Sequence, residues 1–322
     1  MLKSIAMLLL MPACAYAADA VVGDTTVATW KYNRKGAFTM SFDDSLETHV
    51  KVAMPALVVR GLVGTWFINP GLARYKQNRS IWESNGTRNG QELANHTWDN
   101  KGAATYKEAD FQIGKCARYI WSLRGPGASK LLAFAEGGGS TWKISEYEQE
   151  KLRQKYHCIL RSSELSARTD QGVTSEMLIA KAQESISDRR WVAIQFHGTG
   201  GDWLSIDKTA FFRFLDHLSD HKDEIWSAGW IEAYQYIQER EHARIGLLEA
   251  SEHRIRIDVK TGLDRELYVE PLTLITRVPD SWTAVKVGQM GKSKVYQARD
   301  GILHYEAVPD RGTIELAADR EP

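Results

Sequence analysis

The sequence predicts an α/β domain followed by a small all-β module, and two patterns carry that prediction. From residue 30 to about 243, short apolar runs alternate with amphipathic stretches, which is typical of βα units. From Ile245 onward, helical spacing is absent and apolar residues alternate with polar ones between turn signals such as Thr261-Gly262. A chain of 322 residues is long enough for one large and one smaller domain, so we expect domains at 18–244 and 245–322.

The elements of both regions can be placed in order. Apolar runs predict strands at 36–42, 63–69, 131–135, 157–160, 191–197 and 225–228. Helical spacing predicts helices at 46–59, around 109–120, at 210–218 and at 231–238. The second helix follows Thr105-Tyr-Lys-Glu108, which is a capping box. The C-terminal strands predict a β-sandwich-like accessory module, and we interpret its aromatic residues Tyr268, Trp282 and Tyr305 as packing.

Composition excludes several classes of protein. Lys+Arg and Asp+Glu number 41 each, so the net charge is zero and a general nucleic-acid binder is not expected. No stretch after the N-terminus approaches the roughly 18 consecutive apolar residues that a membrane span needs. The 11 Trp and 12 Tyr residues suit a protein that binds carbohydrate, although most of them should lie in the core.

The first seventeen residues have the pattern of a signal peptide. Lys3 precedes a short apolar run, and Ala15-Tyr16-Ala17 is a small-residue cleavage site. We therefore expect export to the periplasm or to the extracellular space, with cleavage before Ala18. The cysteines that remain, Cys116 and Cys158, are too few for a disulfide framework, and we expect two buried free thiols in preference to one bridge.

Three polar motifs each follow a predicted strand. Ser41-Phe-Asp43-Asp44-Ser45 places two carboxylates side by side, which repel each other unless a cation or a proton lies between them. Asn95-His96-Thr-Trp-Asp99-Asn100 gathers several donor atoms, and His197 enters the glycine-rich loop 198–203. Each motif alone has a simpler interpretation, namely a helix cap, a polar loop or a core histidine. Because all three follow strands of a βα chain, we expect them to converge on one face.

The three motifs together resemble those of the polysaccharide deacetylase family, which includes chitin deacetylases, chitooligosaccharide deacetylases and acetylxylan esterases. The first matches the family's Thr-Phe-Asp-Asp-Gly motif. Glu92-Leu-Ala-Asn-His96-Thr-Trp-Asp-Asn100 matches Glu-Ile-x-x-His-Ser/Thr-x-x-His, and Ile194-Gln-Phe-His197 matches a late Leu-His motif. Order and spacing agree over about residues 29–244. The resemblance implies a distorted (β/α) barrel that binds an acetylated glycan.

The resemblance also implies one divalent metal ion, usually zinc, with cobalt or nickel as alternatives. Asp44, His96 and Asn100 occupy the positions of the metal ligands. Asp43 occupies the position of the general base, and His197 that of the general acid. The resemblance further implies a backbone N–H near Ala135-Glu136 that stabilises the oxyanion. We also expect Trp203, Asp202 and Glu136 to contact the substrate.

The chain departs from the family pattern at several positions. Asn100 stands where the family has His, and Asp99 is the alternative ligand. The run Phe134-Ala-Glu136-Gly-Gly-Gly139 lacks the Arg that orients the base in the family, and Arg161 is the candidate to replace it. Asp170 is the nearest candidate for the Asp that pairs with the acid histidine. Two functions follow as expectations: a secreted deacetylase of N- or O-acetylated glycans, or a carbohydrate-binding pseudoenzyme of the same fold.

Overall fold

The computed structural model describes residues 21–85, 90–137 and 141–319. The predicted signal peptide at 1–17 lies outside the described residues, as do the last two glycines of the run 134–139. In chain order the strands are β1 (Thr25–Val27), β2 (Gly36–Asp43), β3 (Gly64–Ile68), β4 (Glu92–Asn95), β5 (Gly102–Ala103), β6 (Leu132–Phe134), β7 (Thr141–Trp142), β8 (Cys158–Leu160), β9 (Leu165–Ala167), β10 (Trp191–Phe196), β11 (Ile225–Ser227), β12 (Arg244–Ala250), β13 (Ile255–Lys260), β14 (Leu272–Arg277), β15 (Ala284–Gln289), β16 (Lys292–Arg299), β17 (Ile302–Ala307) and β18 (Ile314–Ala318).

The helices connect the strands of the first domain. They are α1 (Met54–Val59), α2 (Ala73–Gln77), α3 (Arg79–Asn85), α4 (Tyr106–Leu123), α5 (Glu146–Lys155), α6 (Ser175–Ser187), α7 (Lys208–Asp220) and α8 (Trp230–His242). A π-helical segment, His49–Ala53, leads into α1. The predicted capping box is present at the start of α4, where Thr105 accepts from the Glu108 N–H. Within the described part of the chain, no helix is long and apolar enough to cross a membrane.

The first domain is built on a parallel sheet with the strand order β8-β6-β4-β3-β2-β10-β9, and β11 also pairs with β2. Every residue of the central strand β2 is buried, as expected where both faces of a parallel sheet are covered. On one face, the ring of Phe42 stacks on Trp66 at 4.4 Å and on Phe196 at 5.1 Å between centroids. These contacts pack β2 and β10, which lead to two of the polar motifs, against each other and against β3.

The parallel sheet curls into an incomplete barrel, as the predicted fold class requires. If the seven strands from β8 to β9 were flat, the two end strands would lie about 29 Å apart. Only four residues separate Leu160 from Leu165, however, and such a linker spans at most about 18 Å. No backbone pairing between β8 and β9 is found in the described ranges, so the linker, and not a hydrogen-bonded ladder, bridges the opening.

The C-terminal module is the predicted all-β unit. Its antiparallel strands follow the order β1-β14-β17-β16-β15-β18-β13-β12. The backbone pairing of β16 with β17 involves only Ala298 and Arg299 of β16, and it connects the two halves of the sheet. Trp282 and Tyr305 are buried in its core, which agrees with their interpretation as packing. The edge strand β1 comes from residues 25–27, so the N-terminal part of the chain contributes to this module.

The two domains share a hydrophobic core. Trp30, Trp226 and Tyr236 from the α/β domain belong to the same buried cluster as Ile257 and Leu274 of the β-module. The Tyr236 hydroxyl donates a hydrogen bond to the carbonyl of Ala28 at 2.9 Å. Cys116 and Cys158 lie in the other large cluster, where both are buried and free as expected.

A cluster of carboxylates lies at the junction between the domains. Lys31 forms ion pairs with Glu232 and Glu270, and Glu239 accepts a hydrogen bond from the Glu270 N–H at 3.0 Å. One lysine cannot neutralise all of these acids. Burial, together with the charge of Glu270, raises the pKa of Glu239 to about 8.

We expect Glu239→Gln to be more stable than the wild type, by a margin that grows as the pH rises from 5 to 8. The folded-state pKa of Glu239 lies above its unfolded value of 4.5, so the contribution of this group to stability is fully present below pH 4.5. That contribution falls towards pH 8, by at most about 1.4 kcal/mol per pH unit. Urea unfolding at several pH values measures the effect. Glu241→Gln, on the exposed side of the same helix, is the control; equal pH profiles for both variants would contradict the assignment.

Candidate active site

The carboxyl edge of the parallel sheet brings the three polar motifs together. Asp43 ends β2, His96 follows β4 and His197 follows β10. Asp44 Oδ1 lies 3.5 Å from His96 Nε2, and the charges of Asp43 and Asp44 both act on the His197 ring. The convergence expected from the strand positions is therefore observed.

Unusual backbone conformations turn both carboxylates of the first motif into the site. Successive side chains of a strand point to opposite faces, so Asp44 would face away from Asp43 if β2 continued. Asp44 and Ser45 instead have φ angles of 81° and 53°. The Ser45 hydroxyl accepts a hydrogen bond from the Asn69 N–H at 2.9 Å, which anchors the turn to the end of β3. Such strained residues cluster at functional sites.

Asp43 is held by a buried ion pair. Arg161 donates to both oxygens of Asp43, with a distance of 2.8 Å from Nη2 to Oδ2, and Gln195 Nε2 donates to Oδ2 at 2.8 Å. The carboxylate is only 2 % exposed. Burial opposes ionisation, but the charges of Arg161 and His96 outweigh it and lower the pKa of Asp43 to about 2. Arg161, the candidate to replace the missing Arg, is thus in direct contact with Asp43.

Asp44 accepts hydrogen bonds from several protein donors. Trp203 Nε1 donates to Oδ2 at 3.0 Å, and Asn100 Nδ2 donates to Oδ1 at 2.9 Å. Arg74 Nη2 lies 3.6 Å from Oδ1, and its guanidinium stacks on the Trp203 ring at 4.9 Å. Burial opposes ionisation here too, but the contacts with His96 and Trp203 lower the pKa of Asp44 below its usual value.

The pair of Asp44 and His96 fits a divalent metal ion. His96 Nδ1 lies 3.0 Å from the carbonyl oxygen of Ala135, which can only accept, so Nδ1 carries a hydrogen and Nε2 is the ring atom that faces Asp44 Oδ1. A cation, either a proton on Nε2 or a metal ion, stabilises this 3.5 Å approach of the imidazole nitrogen to the carboxylate oxygen. Tetrahedral zinc places its ligand atoms about 3.3 Å apart.

The third position of the expected ligand set, after Asp44 and His96, has no side chain already oriented to bind a metal ion among the described residues. Among the described residues, no group of three His, Cys, Asp or Glu side chains is arranged to hold a metal ion. Asn100 lies beside Asp44, but its amide nitrogen faces the carboxylate, so ligation through oxygen requires rotation of the amide. The carboxylate of Asp99, the alternative ligand, accepts a hydrogen bond from Gln112 and pairs with Lys101 at 3.3 Å.

Three other expected residues have contacts outside this centre. Asp202 Oδ2 accepts a hydrogen bond from the Thr48 N–H at 2.9 Å. Glu136 lies at the surface, and the protein atoms that partly cover its carboxyl group raise its pKa. The candidate partner of His197, Asp170, was wrong: it pairs with Arg168 at the surface, 2.5 Å away, whereas His197 Nδ1 is buried and has no hydrogen-bond partner among the described residues.

Sequence reasoning missed two side chains of the site. Gln195 is the one polar residue in the apolar run 191–196, and this anomaly could have revealed it. His49 lies outside the three motifs, and nothing in its sequence setting marks it as part of the site. It is fully buried, its ring packs on Phe42 of the first motif, and its Nε2 donates to the His197 carbonyl.

Comparisons with known proteins add distant similarities. No protein-family model matches the chain. A gellan lyase from Bacillus sp. is 23% identical over 336 residues, an alignment that covers 92% of this chain and 13% of that protein. The chain thus spans 13% of the length of the curated relative it matches.

The solved structures to which the chain is similar include members of carbohydrate esterase family 4. The Streptomyces lividans family 4 carbohydrate esterase is 17% identical, covering 61% of this chain and 93% of that one, with a TM-score of 0.45. A peptidoglycan deacetylase from Bacillus subtilis is 15% identical, covering 64% and 93%, also at 0.45. A family 4 pseudoenzyme from Bacillus anthracis is 15% identical, covering 61% and 64%, at 0.43.

We expect Arg161→Met to lower the free energy of unfolding by about 3–5 kcal/mol at pH 7, because it leaves the Asp43 carboxylate buried without its counter-ion. Denaturation in urea measures the loss. Arg168→Met, which breaks the exposed pair with Asp170, should change stability by at most about 0.5 kcal/mol. The double variant Asp43→Asn/Arg161→Met should regain part of the stability; a single variant as stable as the Arg168 control would refute the importance of the pair.

We expect Asn100→His to lower the dissociation constant for Zn²⁺ at least tenfold, because imidazole is a better zinc ligand than a carboxamide. Competition with a chromophoric chelator measures the constant. Asp99→Asn should leave it unchanged, since Asp99 faces Gln112. An unaltered constant for Asn100→His would show that this position is not a ligand.

Proposed function

We propose that the protein is a secreted, metal-dependent carbohydrate deacetylase of the polysaccharide deacetylase family, which hydrolyses N- or O-linked acetyl groups of a polysaccharide or oligosaccharide. One observation carries this proposal: Asp43, Asp44, His96 and His197 meet at the carboxyl edge of a parallel sheet, and Asp43 is held by Arg161. The motif resemblance assigns these residues to that chemistry. The N-terminal leader pattern supports export to the periplasm or beyond.

The metal would be held by Asp44, His96 and Asn100. When bound, a divalent ion would supply Lewis-acid chemistry at the acetyl carbonyl and at the attacking water. A carboxylate oxygen and an imidazole nitrogen suit zinc, and the amide oxygen of Asn100 would make the ligand set harder and less selective for zinc.

Asp43 would act as the general base. Arg161 and Gln195 fix the orientation of its carboxylate, so one of its remaining lone pairs can accept the proton of the attacking water without reorganisation. The same contacts keep it ionised, which makes it a weak base. Asp43 would therefore supply only part of the activation of the water.

His197 would act as the general acid. Burial lowers the pKa of His197, which makes its imidazolium a stronger acid, while the charges of Asp43 and Asp44 favour the protonated form. A proton at the ring can pass to the departing nitrogen or oxygen of the sugar. The oxyanion would need a backbone donor at Glu136 and not at Ala135, since the Ala135 N–H donates to the Asn95 carbonyl at 3.1 Å.

Substrate contacts would come from the loop after β10 and from the loop after β6. Trp203 is 43 % exposed and adjoins Asp44, so its ring can stack on a sugar close to the reacting acetyl group. Asp202 and the exposed Glu136 are the proposed polar contacts. We assign the β-module to a supporting role, because Trp282 and Tyr305 are buried and its core is continuous with that of the barrel.

A carbohydrate-binding pseudoenzyme is the second candidate. The observation that favours it is the surplus of protein donors at Asp44, where Asn100 donates to Oδ1 and Trp203 to Oδ2, and where the Arg74 charge lies close by. Against it stand the intact Asp43 and His197, which a binding protein has no need to keep at one site.

Release of acetate by residues 18–322 tests the proposal. The substrates are chitooligosaccharides, peptidoglycan fragments and acetylated xylan, each with chelator or with added Zn²⁺ or Co²⁺. We expect metal-dependent release from at least one of them. Asp43→Asn should abolish release with its metal content unchanged, and Asp170→Asn should behave as wild type. Wild-type protein that binds no metal and releases no acetate would favour the pseudoenzyme.

A further inference from the structure

His49 is a fully buried histidine that the proposed mechanism does not use. It begins the π-helical segment His49–Ala53, and its ring packs against Phe42 at 5.6 Å, Trp66 at 5.5 Å and Trp82 at 6.4 Å between centroids. Short π-helical segments often occur at functional sites, where they displace one side chain from the regular helical position. A phenylalanine could pack against these three rings equally well. The packing therefore does not explain why the residue has polar ring nitrogens.

Both ring nitrogens of His49 have a partner. Nδ1 lies 3.2 Å from the Leu46 N–H and must accept from it, so the ring proton is on Nε2. Nε2 lies 2.9 Å from the carbonyl oxygen of His197 and donates to it. Burial lowers the pKa of His49 to about 4, which keeps the ring neutral and in this single tautomer.

The His197 side chain lacks an orienting hydrogen bond of its own. Its Nδ1 has no partner in the described part of the chain, so the position of the ring depends on its backbone. On one side Phe196 is paired with Phe42 in the sheet, and on the other Gly198 donates to the Trp203 carbonyl at 3.1 Å in a tight loop. The contact of the His197 carbonyl with His49 joins the backbone of His197 itself to the turn after β2, and two hydrogen bonds between Thr199 and Thr48 support it from the next part of the loop.

We propose that His49 is a positioning residue for His197, which holds its backbone at a fixed distance from the turn that carries Asp43 and Asp44. One neutral ring, bonded to Leu46 on one side and to His197 on the other, spans the two segments. The inference rests on the proposed function in so far as it assigns the acid role to His197. It predicts that the donor at Nε2 matters more for turnover than the acceptor at Nδ1.

Two amide substitutions separate the two nitrogens. In His49→Gln, the amide N–H₂ reaches the position of Nε2 and can still donate to the His197 carbonyl. In His49→Asn, the shorter amide reaches the position of Nδ1 and loses that donor. We expect kcat for acetate release to stay within threefold of wild type in His49→Gln and to fall at least tenfold in His49→Asn, with KM changed less than twofold in both. His253→Asn, at an exposed histidine, is the control.

Thermal unfolding of both variants distinguishes positioning from packing. If kcat falls equally in the two variants, or falls only in proportion to the loss in melting temperature, the ring is a packing residue and the proposal is wrong. A wild-type kcat in His49→Asn would also overturn it. If the wild-type protein releases no acetate, the proposed function fails, and imidazole NMR then decides: the His197 ring signals should shift or broaden in His49→Asn but not in His49→Gln, and identical spectra would refute the inference.

Discussion

The buried pair of Asp43 and Arg161 is the interaction on which the site depends. Asp43 ends the central strand β2, whereas Arg161 follows β8 at the end of the sheet, four strand spacings or about 19 Å away if the sheet were flat. An arginine side chain cannot cover that distance, so the contact exists only because the sheet curls. The pair therefore couples barrel closure to the position of the proposed base. Without Arg161, a carboxylate at this depth would be too costly to keep ionised.

The turn after β2 imposes a second constraint, because it must present two neighbouring carboxylates to one centre. Strained φ angles at Asp44 and Ser45 achieve this, and contacts from three directions stabilise them. Asn69 holds Ser45 from β3, Arg74 bonds to the Asp44 carbonyl, and His49 holds the Leu46 N–H. Each of these three residues also contacts another part of the site: Asn69 and His49 contact the loops of the other two motifs, and Arg74 contacts the Trp203 ring. The strain is thus sustained by the packing of the whole edge and not by the turn itself.

Much of the fold and the centre of the site could be predicted from the sequence, because each depends on local patterns. Apolar runs predicted β2 and β10, whose ends carry Asp43 and His197. No strand was predicted directly before His96, which was identified from its motif. The failures have physical causes. The partner of His197 was sought in Asp170, since sequence order does not show that Arg168, two residues away, neutralises it. His49 was missed because a buried histidine is recognisable only from its two partners, one of which lies 148 residues away. The contribution of β1 to the C-terminal module was likewise invisible, since pairing with β14 is non-local.

Charge balance at Asp44 separates the two candidate functions. Asp43 is already neutralised by Arg161, and Asp44 has Arg74 within 3.6 Å, so the two carboxylates and two guanidiniums nearly cancel before any metal is considered. A divalent ion at Asp44 and His96 would then lie close to the positive charge of Arg74. Its third ligand would be the amide of Asn100, which binds metal ions more weakly than an imidazole. Its affinity would be lower than in a site whose carboxylate is free of cations. Metal affinity is consequently the quantity that decides between catalysis and binding alone, and Arg74 and Asn100 are the residues that set it.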